Sequence, residues 1–117
     1  MSENNENTPL ALPVPVFIES PYAGQIERNL AYARECLIHS IAKGEAPFLS
    51  HLIYTQVLDD TIYVQRLMGL RCAASFRAMC KILAVYTDLG ISPGMLQGIN
   101  HARELGLDIQ MRRIYNG

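Results

Sequence analysis

Val14-Pro15-Val16-Phe17-Ile18-Glu19-Ser20-Pro21-Tyr22-Ala23-Gly24 is the stretch on which the reading of this chain turns. Val16, Phe17 and Ile18 form a short unbroken apolar run, which suits a strand buried on both faces, as in a parallel sheet. Ser20 to Gly24 then breaks the strand and leads into a helix. In that helix Ile26, Leu30, Ala33, Leu37 and Ile41 recur at steps of three and four, while Glu27, Arg34 and Lys43 fall elsewhere. Gly44 supplies the stop.

The alternation continues outward from there. Ala46-Pro47-Phe48-Leu49 reads as a very short second strand, and Ser50 as the cap of a brief helical turn carrying His51, Tyr54 and Gln56. Asp59, Asp60 and Thr61 are good N-cap residues for a second helix over Ile62 to Met79, with an expected apolar stripe of Tyr63, Leu67, Leu70 and Ala74. Gly69 inside it costs about 1 kcal/mol relative to alanine unless close packing offsets the loss. Ile82 to Tyr86 is the clearest strand. Ser92 as N-cap and Pro93 at the first helical position open a third helix, in which Met95, Ile99, Ala102 and Leu105 form the expected buried face. Gly106 ends it, and Leu107, Ile109 and Met111 alternate with Asp108 and Gln110 as an edge strand does.

Strands alternating with helices imply a parallel sheet with right-handed crossovers. The pattern predicts a three-layer, flavodoxin-like or Rossmann-like α/β domain, with a short parallel sheet in the order 2-1-3-4 flanked by helices. Residues 1–13 read as a flexible tail and 14–117 as one domain. In such a sheet the ligand crevice lies at the carboxyl ends of the strands, where the strand order reverses. That places Ser20 to Gly24 beside Thr87 to Gly94.

Composition narrows the function classes. The chain has 117 residues, half of them apolar, and a formal net charge of -1. This is enough for one core, and it gives no basic excess to hold a nucleic acid. No apolar run is long enough to span a bilayer, and the acidic, Asn-rich start lacks the pattern of a signal peptide, so the expected location is the cytoplasm. Cys36, Cys72 and Cys80 are odd in number, form no C-x-x-C pair, and read as small core residues. Neither they nor His39, His51 and His101 show metal-ligand spacing, so no metal and no cofactor is expected.

Two loops and one cluster carry the candidate chemistry. A strand-to-helix junction such as Glu19 to Gly24 offers free backbone N–H groups and a helix dipole to an anion. Ser20 adds a hydroxyl, Tyr22 a face for stacking, and Gly24 close backbone approach; an ordinary turn is the competing reading. The second loop, Asp88 to Met95, repeats this physics. Ser92 and Pro93 suffice as cap and helix starter, whereas Gly94 at an early helical position suggests a bulky group lying against the helix start. Asp88 either accepts from a ribose hydroxyl or closes the turn. In the third group, His51, Tyr54, Asp59, Asp60 and Arg66, a His–Asp pair suits acid–base work and Arg66 a phosphate, against helix capping and surface pairing. No nucleophile elbow supports a Ser20–His51–Asp88 triad, and no G-x-G-x-x-G or Walker lysine is present.

At these residues a family resemblance enters. Val16 to Gly24 followed by Asn29-Leu30-Ala31-Tyr32-Ala33 resembles the opening of nucleoside 2-deoxyribosyltransferase-like domains, above all small members from bacteria and phages. The likeness runs on through Pro47, Ser50-His51-Leu52, Tyr54-Thr55-Gln56, Leu58-Asp59-Asp60 and Arg66, and returns at Ile91 to Met95. The loops, the cluster and the resemblance together give the expected ligand contacts as Ser20, Pro21, Tyr22, Ala23, Gly24, Asn29, His51, Tyr54, Asp88, Ser92, Gly94 and Met95, supported by Asp59, Asp60, Arg66 and Gly98. The resemblance also implies N-glycosidic bond chemistry through a glutamate on the helix after the third strand. Here Gly98 occupies that glutamate's place, and Gln97 and Asn100 cannot form a glycosyl ester. Glu19 is the one carboxylate to nominate as a substitute, and it suits equally a buried acceptor organising the Ser20 loop.

The expectation is therefore a protein that binds a nucleotide or nucleotide-derived signal without cleaving it, sensing or sequestering it. The alternative is an N-glycosidase or 2-deoxyribosyltransferase using Glu19 or an activated water. A homo-oligomer is expected under either, because Val64, Met68 and Phe76 lie off the main stripe of the second helix.

Overall fold

Glu19 and Ser20 sit at the top of a strand that is buried from Val16 onward, and the whole sheet is arranged around it. The computed structural model describes residues 11–115. Most of the expected tail, residues 1–10, lies outside the described residues; residues 11–13 carry no regular structure. Strand β1 is Val14–Glu19, β2 is Glu45–Phe48, β3 is Ile82–Tyr86 and β4 is Asp108–Arg112. Helices α1 (Ile26–Ala42), α2 (Tyr63–Arg77) and α3 (Pro93–Leu105) alternate with them, and two short 3-10 turns, Ser50–Leu52 and Tyr54–Gln56, connect β2 to α2.

The sheet is parallel throughout, in the order β2-β1-β3-β4, as the alternation of the sequence requires. β1 sets the register on both sides: Val14 pairs Glu45, and Glu19 pairs Val85. Because side chains alternate across a strand, the central residues sort into two cores. Val16, Ile18, Ala84 and Tyr86 pack under α1 with Tyr32, Ala33 and Cys36. Phe17, Leu83 and Val85 pack on the other face with Ala73 of α2 and Met95, Ile99 and Ala102 of α3. The sheet order reverses between β1 and β3, and the loops following those strands meet there.

Several local expectations are corrected. α1 buries Asn29, Tyr32, Ala33, Cys36 and Ser40, one position away from the expected stripe, leaving Ile26 and Ile41 largely exposed. Polar residues turn inward because they have buried partners: Ser40 donates to Glu45, and Asn29 holds the loop above it. α2 is docked through Ala73 and Arg77, and the expected Tyr63, Leu67 and Leu70 face stays in solvent. Its N-cap is Ile62 without a side-chain cap; Asp59 instead accepts from the backbone and hydroxyl of Thr61 and closes the preceding turn. β2 begins one residue early, so Leu49 caps the first 3-10 turn and Ser50 lies within it. Leu105 and Cys72 are exposed, and only Cys36 of the three thiols is buried, where desolvation raises its pKa to about 12. α3 follows its sequence closely: Ser92 Oγ accepts from Met95 N at 3.2 Å, and Gly106 closes the helix at φ 79°.

Among the described residues no helix is long and apolar enough to cross a membrane, and no group of three His, Cys, Asp or Glu side chains is placed to hold a metal ion.

Candidate functional site

The loop after β1 is shaped by Asn29 and Gly24. The buried Asn29 amide donates to the carbonyls of Tyr22 at 2.8 Å and Ala23 at 3.1 Å, tying the loop to the first turn of α1. Gly24 has φ 96°, a left-handed conformation that side chains disfavour. With the loop so held, Tyr22 lies against His51, ring centroids 5.0 Å apart and planes 24° from parallel. His51 Nε2 donates to the Ser20 carbonyl at 3.1 Å. Burial, the largest influence, lowers the His51 pKa, although the Ser20 carbonyl and Asp60 oppose it. The ring is therefore held neutral with its proton on Nε2, which leaves Nδ1 as an acceptor.

A cavity of about 220 Å³ opens between this stack, the start of α2 and the N-terminus of α3. Tyr22, Ala23 and His51 form one wall, Asp60, Arg66 and Leu70 a second, and Ser92, Pro93, Gly94 and Met95 a third. A Cβ at Gly94 would meet nothing nearer than Ser92 Oγ at 3.9 Å, so glycine there leaves the helix start open to the cavity. A wider groove of about 700 Å³ adjoins it and shares Tyr22, Ala23, Asp60 and Arg66; Gly24 and Asp59 line only this outer groove. Tyr54 lines a smaller space of about 50 Å³ beside His51.

Other candidate residues lie outside the cavity. Ser20 and Pro21 are buried, and Asn29 acts on the loop backbone. Asp88 is turned away: its oxygens accept from the Tyr32 hydroxyl at 2.6 Å and from the backbone of Ile114 and Tyr115 at 3.0 Å each. Burial pushes its pKa up, but these hydrogen bonds together outweigh that and lower it. Asp88 fastens the C-terminal segment to α1, in keeping with the turn-closing alternative.

Glu19 and Gly98 form a unit of their own, outside the residues that line the cavity. Glu19 is 5% exposed and its Oε2 accepts from Arg77 at 3.0 Å. Arg77 in turn donates to His101 Nδ1 at 3.0 Å and lies over the Phe17 ring, 4.6 Å from its centroid. A side chain at position 98 has no room: its Cβ would fall on Glu19 Oε2 and 2.5 Å from Glu19 Cδ. Burial raises the Glu19 pKa to about 7 even with the Arg77 guanidinium beside it. Glu19 therefore organises Arg77 and α3 rather than the Ser20 loop. Sequence reasoning missed Arg77 and His101; the available signal was a glutamate inside an otherwise apolar strand, which demands a buried counter-charge.

Residues 14–112 match the family described as domain of unknown function DUF7768. The chain belongs to this family. No curated protein matches it in sequence. Among solved structures it is similar to the 2-desoxiribosyltransferase from Leishmania mexicana, with a TM-score of 0.63 and 12% identity over 86% of this chain and 65% of that one. It is also similar to the 2-deoxyribosyltransferase from the psychrotolerant bacterium Bacillus psychrosaccharolyticus, with a TM-score of 0.62 and 11% identity over 89% of this chain and 75% of that one. The DUF7768 chain thus spans under two thirds of the Leishmania protein, and at these identities the likeness is one of fold: a distant deoxyribosyltransferase-like α/β architecture.

Proposed function

We propose that this DUF7768 chain is a nucleotide-binding protein that retains a nucleotide or nucleotide-derived molecule without cleaving its N-glycosidic bond. The observation that carries the reading is the Glu19–Gly98 contact. The helix bordering the cavity has no carboxylate at position 98, and the neighbouring one is committed to Arg77 and is not among the residues lining the cavity. What remains in the cavity suits binding: an aromatic stack, one guanidinium and an open helix start. Sensing or sequestering a nucleotide signal in the cytoplasm fits such a site, including a phage-encoded sponge, and so does assembly into homo-oligomers.

The test is thermal stability against deoxynucleotides, cyclic nucleotides and NAD-derived nucleotides, with chromatography of each mixture afterwards. Stabilisation with the ligand recovered intact is the expected result. Tyr22→Ala and His51→Ala should each weaken binding at least about tenfold, a loss of about 1.4 kcal/mol; unchanged affinity in both overturns the site. One observation favours a second reading, an N-glycosidase or transferase: a carboxyl group with a pKa near 7 is suited to proton transfer. That reading requires free base in the mixtures, lost in Glu19→Gln.

A further inference from the structure

The outer groove is continuous with the inner cavity and larger. Tyr22, Ala23, Asp60 and Arg66 belong to both, so these residues form a seam rather than a rim. The inner space of about 220 Å³ is smaller than the roughly 300–1,000 Å³ usual for small-molecule sites. Taken with the adjoining groove, the site reaches that range. A ligand that fills it has two bodies joined at the seam.

The chemistry of the seam and groove says what those bodies are. Arg66 is the only Lys or Arg among the residues lining either space, and among the described residues no carboxylate is paired with it. One guanidinium on a seam suits one or two bridging phosphates. Asp60 shares the seam with it, and Asp59 beyond faces only the groove, so the site suits a short phosphate bridge and repels a longer phosphate tail. The groove instead offers apolar surface from Ile26, Val57 and Leu58, together with the amides of Gln56 and Gln65. Those are partners for a flat, neutral heterocycle and its sugar.

We infer that the site takes a dinucleotide: one nucleoside in the inner cavity, its bridging phosphate at Arg66, and a second nucleoside along the Ile26–Val57–Leu58 groove. The inference rests on the nucleotide-binding reading above and names its ligand class. A nucleoside triphosphate is disfavoured because its terminal charges would run past the single cation towards Asp59.

Calorimetric titration of the full chain tests this with three probe sets: 5′-monophosphates, 5′-triphosphates and symmetrical dinucleoside diphosphates of adenosine, guanosine, cytidine and thymidine. For at least one base the dinucleotide should bind at least about tenfold tighter than the matching mono- and triphosphate. Val57→Glu should abolish that advantage and leave the monophosphate unchanged; Val57 is 78% exposed, so the folded chain tolerates the change. Arg66→Gln should weaken mono- and dinucleotide alike. Equal binding of mono- and dinucleotide, tighter binding of the triphosphate, or a dinucleotide advantage surviving Val57→Glu overturns the two-body ligand while nucleotide binding stands. If no probe in any set binds, both readings fall together.

Discussion

Gly98 is the residue on which structure and chemistry meet most closely. A glycine inside a helix costs about 1 kcal/mol against alanine, and α3 keeps one because the Glu19 carboxylate fills the space of a side chain. Gly98→Ala should therefore destabilise the fold by about 1–3 kcal/mol, the usual range for overpacking. The carboxylate is the free end of a side chain, so the loss arises mainly from pushing it off Arg77. Glu19→Ala alone leaves Arg77 buried without its partner, a change that typically costs about 3–5 kcal/mol. In the Glu19→Ala background, however, Gly98→Ala should be neutral or stabilise by up to about 1 kcal/mol, and denaturant midpoints would show a coupling of at least about 1 kcal/mol. Equal costs in both backgrounds would disprove the contact.

The same pair predicts a pH dependence. Glu19 has a folded pKa near 7 against an ordinary value of 4.5, so the folded chain holds a proton that the unfolded chain has released between those limits. Stability from the protonated group is complete below about 4.5 and is lost as pH rises towards 7. Gln imitates the protonated form throughout. Wild-type stability minus that of Glu19→Gln should fall across this window and level off above it. A difference that grows with pH would mean that the pull of Arg77 outweighs burial.

At the scale of elements, Asn29 separates a ligand contact from a loop fastener. Its amide holds two carbonyls of the Ser20–Gly24 loop, so Asn29→Ala should cost about 1–3 kcal/mol. Amide exchange at Tyr22, Ala23 and Gly24 should quicken. Weakened ligand binding with unchanged stability and exchange would instead make Asn29 a direct contact. The strands and α3 were legible in the sequence because local signals agree there: unbroken apolar runs, a Ser-Pro start and a terminal glycine. α1 and α2 were not, because Asn29, Ser40 and Arg77 point inward to partners supplied by distant segments, and an apolar stripe cannot register such pairing. The cavity was legible through Tyr22, His51, Ser92 and Gly94, which sit on junctions that the sheet order brings together. Asp88 was misleading for the converse reason. Its loop position suits a ligand, but its acceptors are taken by Tyr32 and by a C-terminal segment whose path no local pattern reveals.

For the whole molecule, the telling feature is how little of α2 this chain covers. Tyr63 is 75% exposed, Val64 63% and Met68 51%, and only Ala73 and Arg77 of the helix are buried. Exposed apolar side chains gathered on one helix mark a surface suited to a partner. A second copy suits the role. α2 contains no Asp or Glu, Asp59 and Asp60 precede it, and the exposed Lys81 follows it. An antiparallel two-fold pairing would set each acidic end against the other copy's Lys81 and close apolar surface between them. Arg66 and Leu70 line the cavity from the same helix, so this pairing would also brace the site wall. The chain should sediment as an oligomer at concentrations of about 10–100 µM, and its thermal midpoint should rise with concentration. Val64→Glu with Met68→Glu should yield a folded monomer, since neither side chain is buried in the single chain. Wild-type chain that stays monomeric throughout that range would leave α2 unpartnered and refute the pairing.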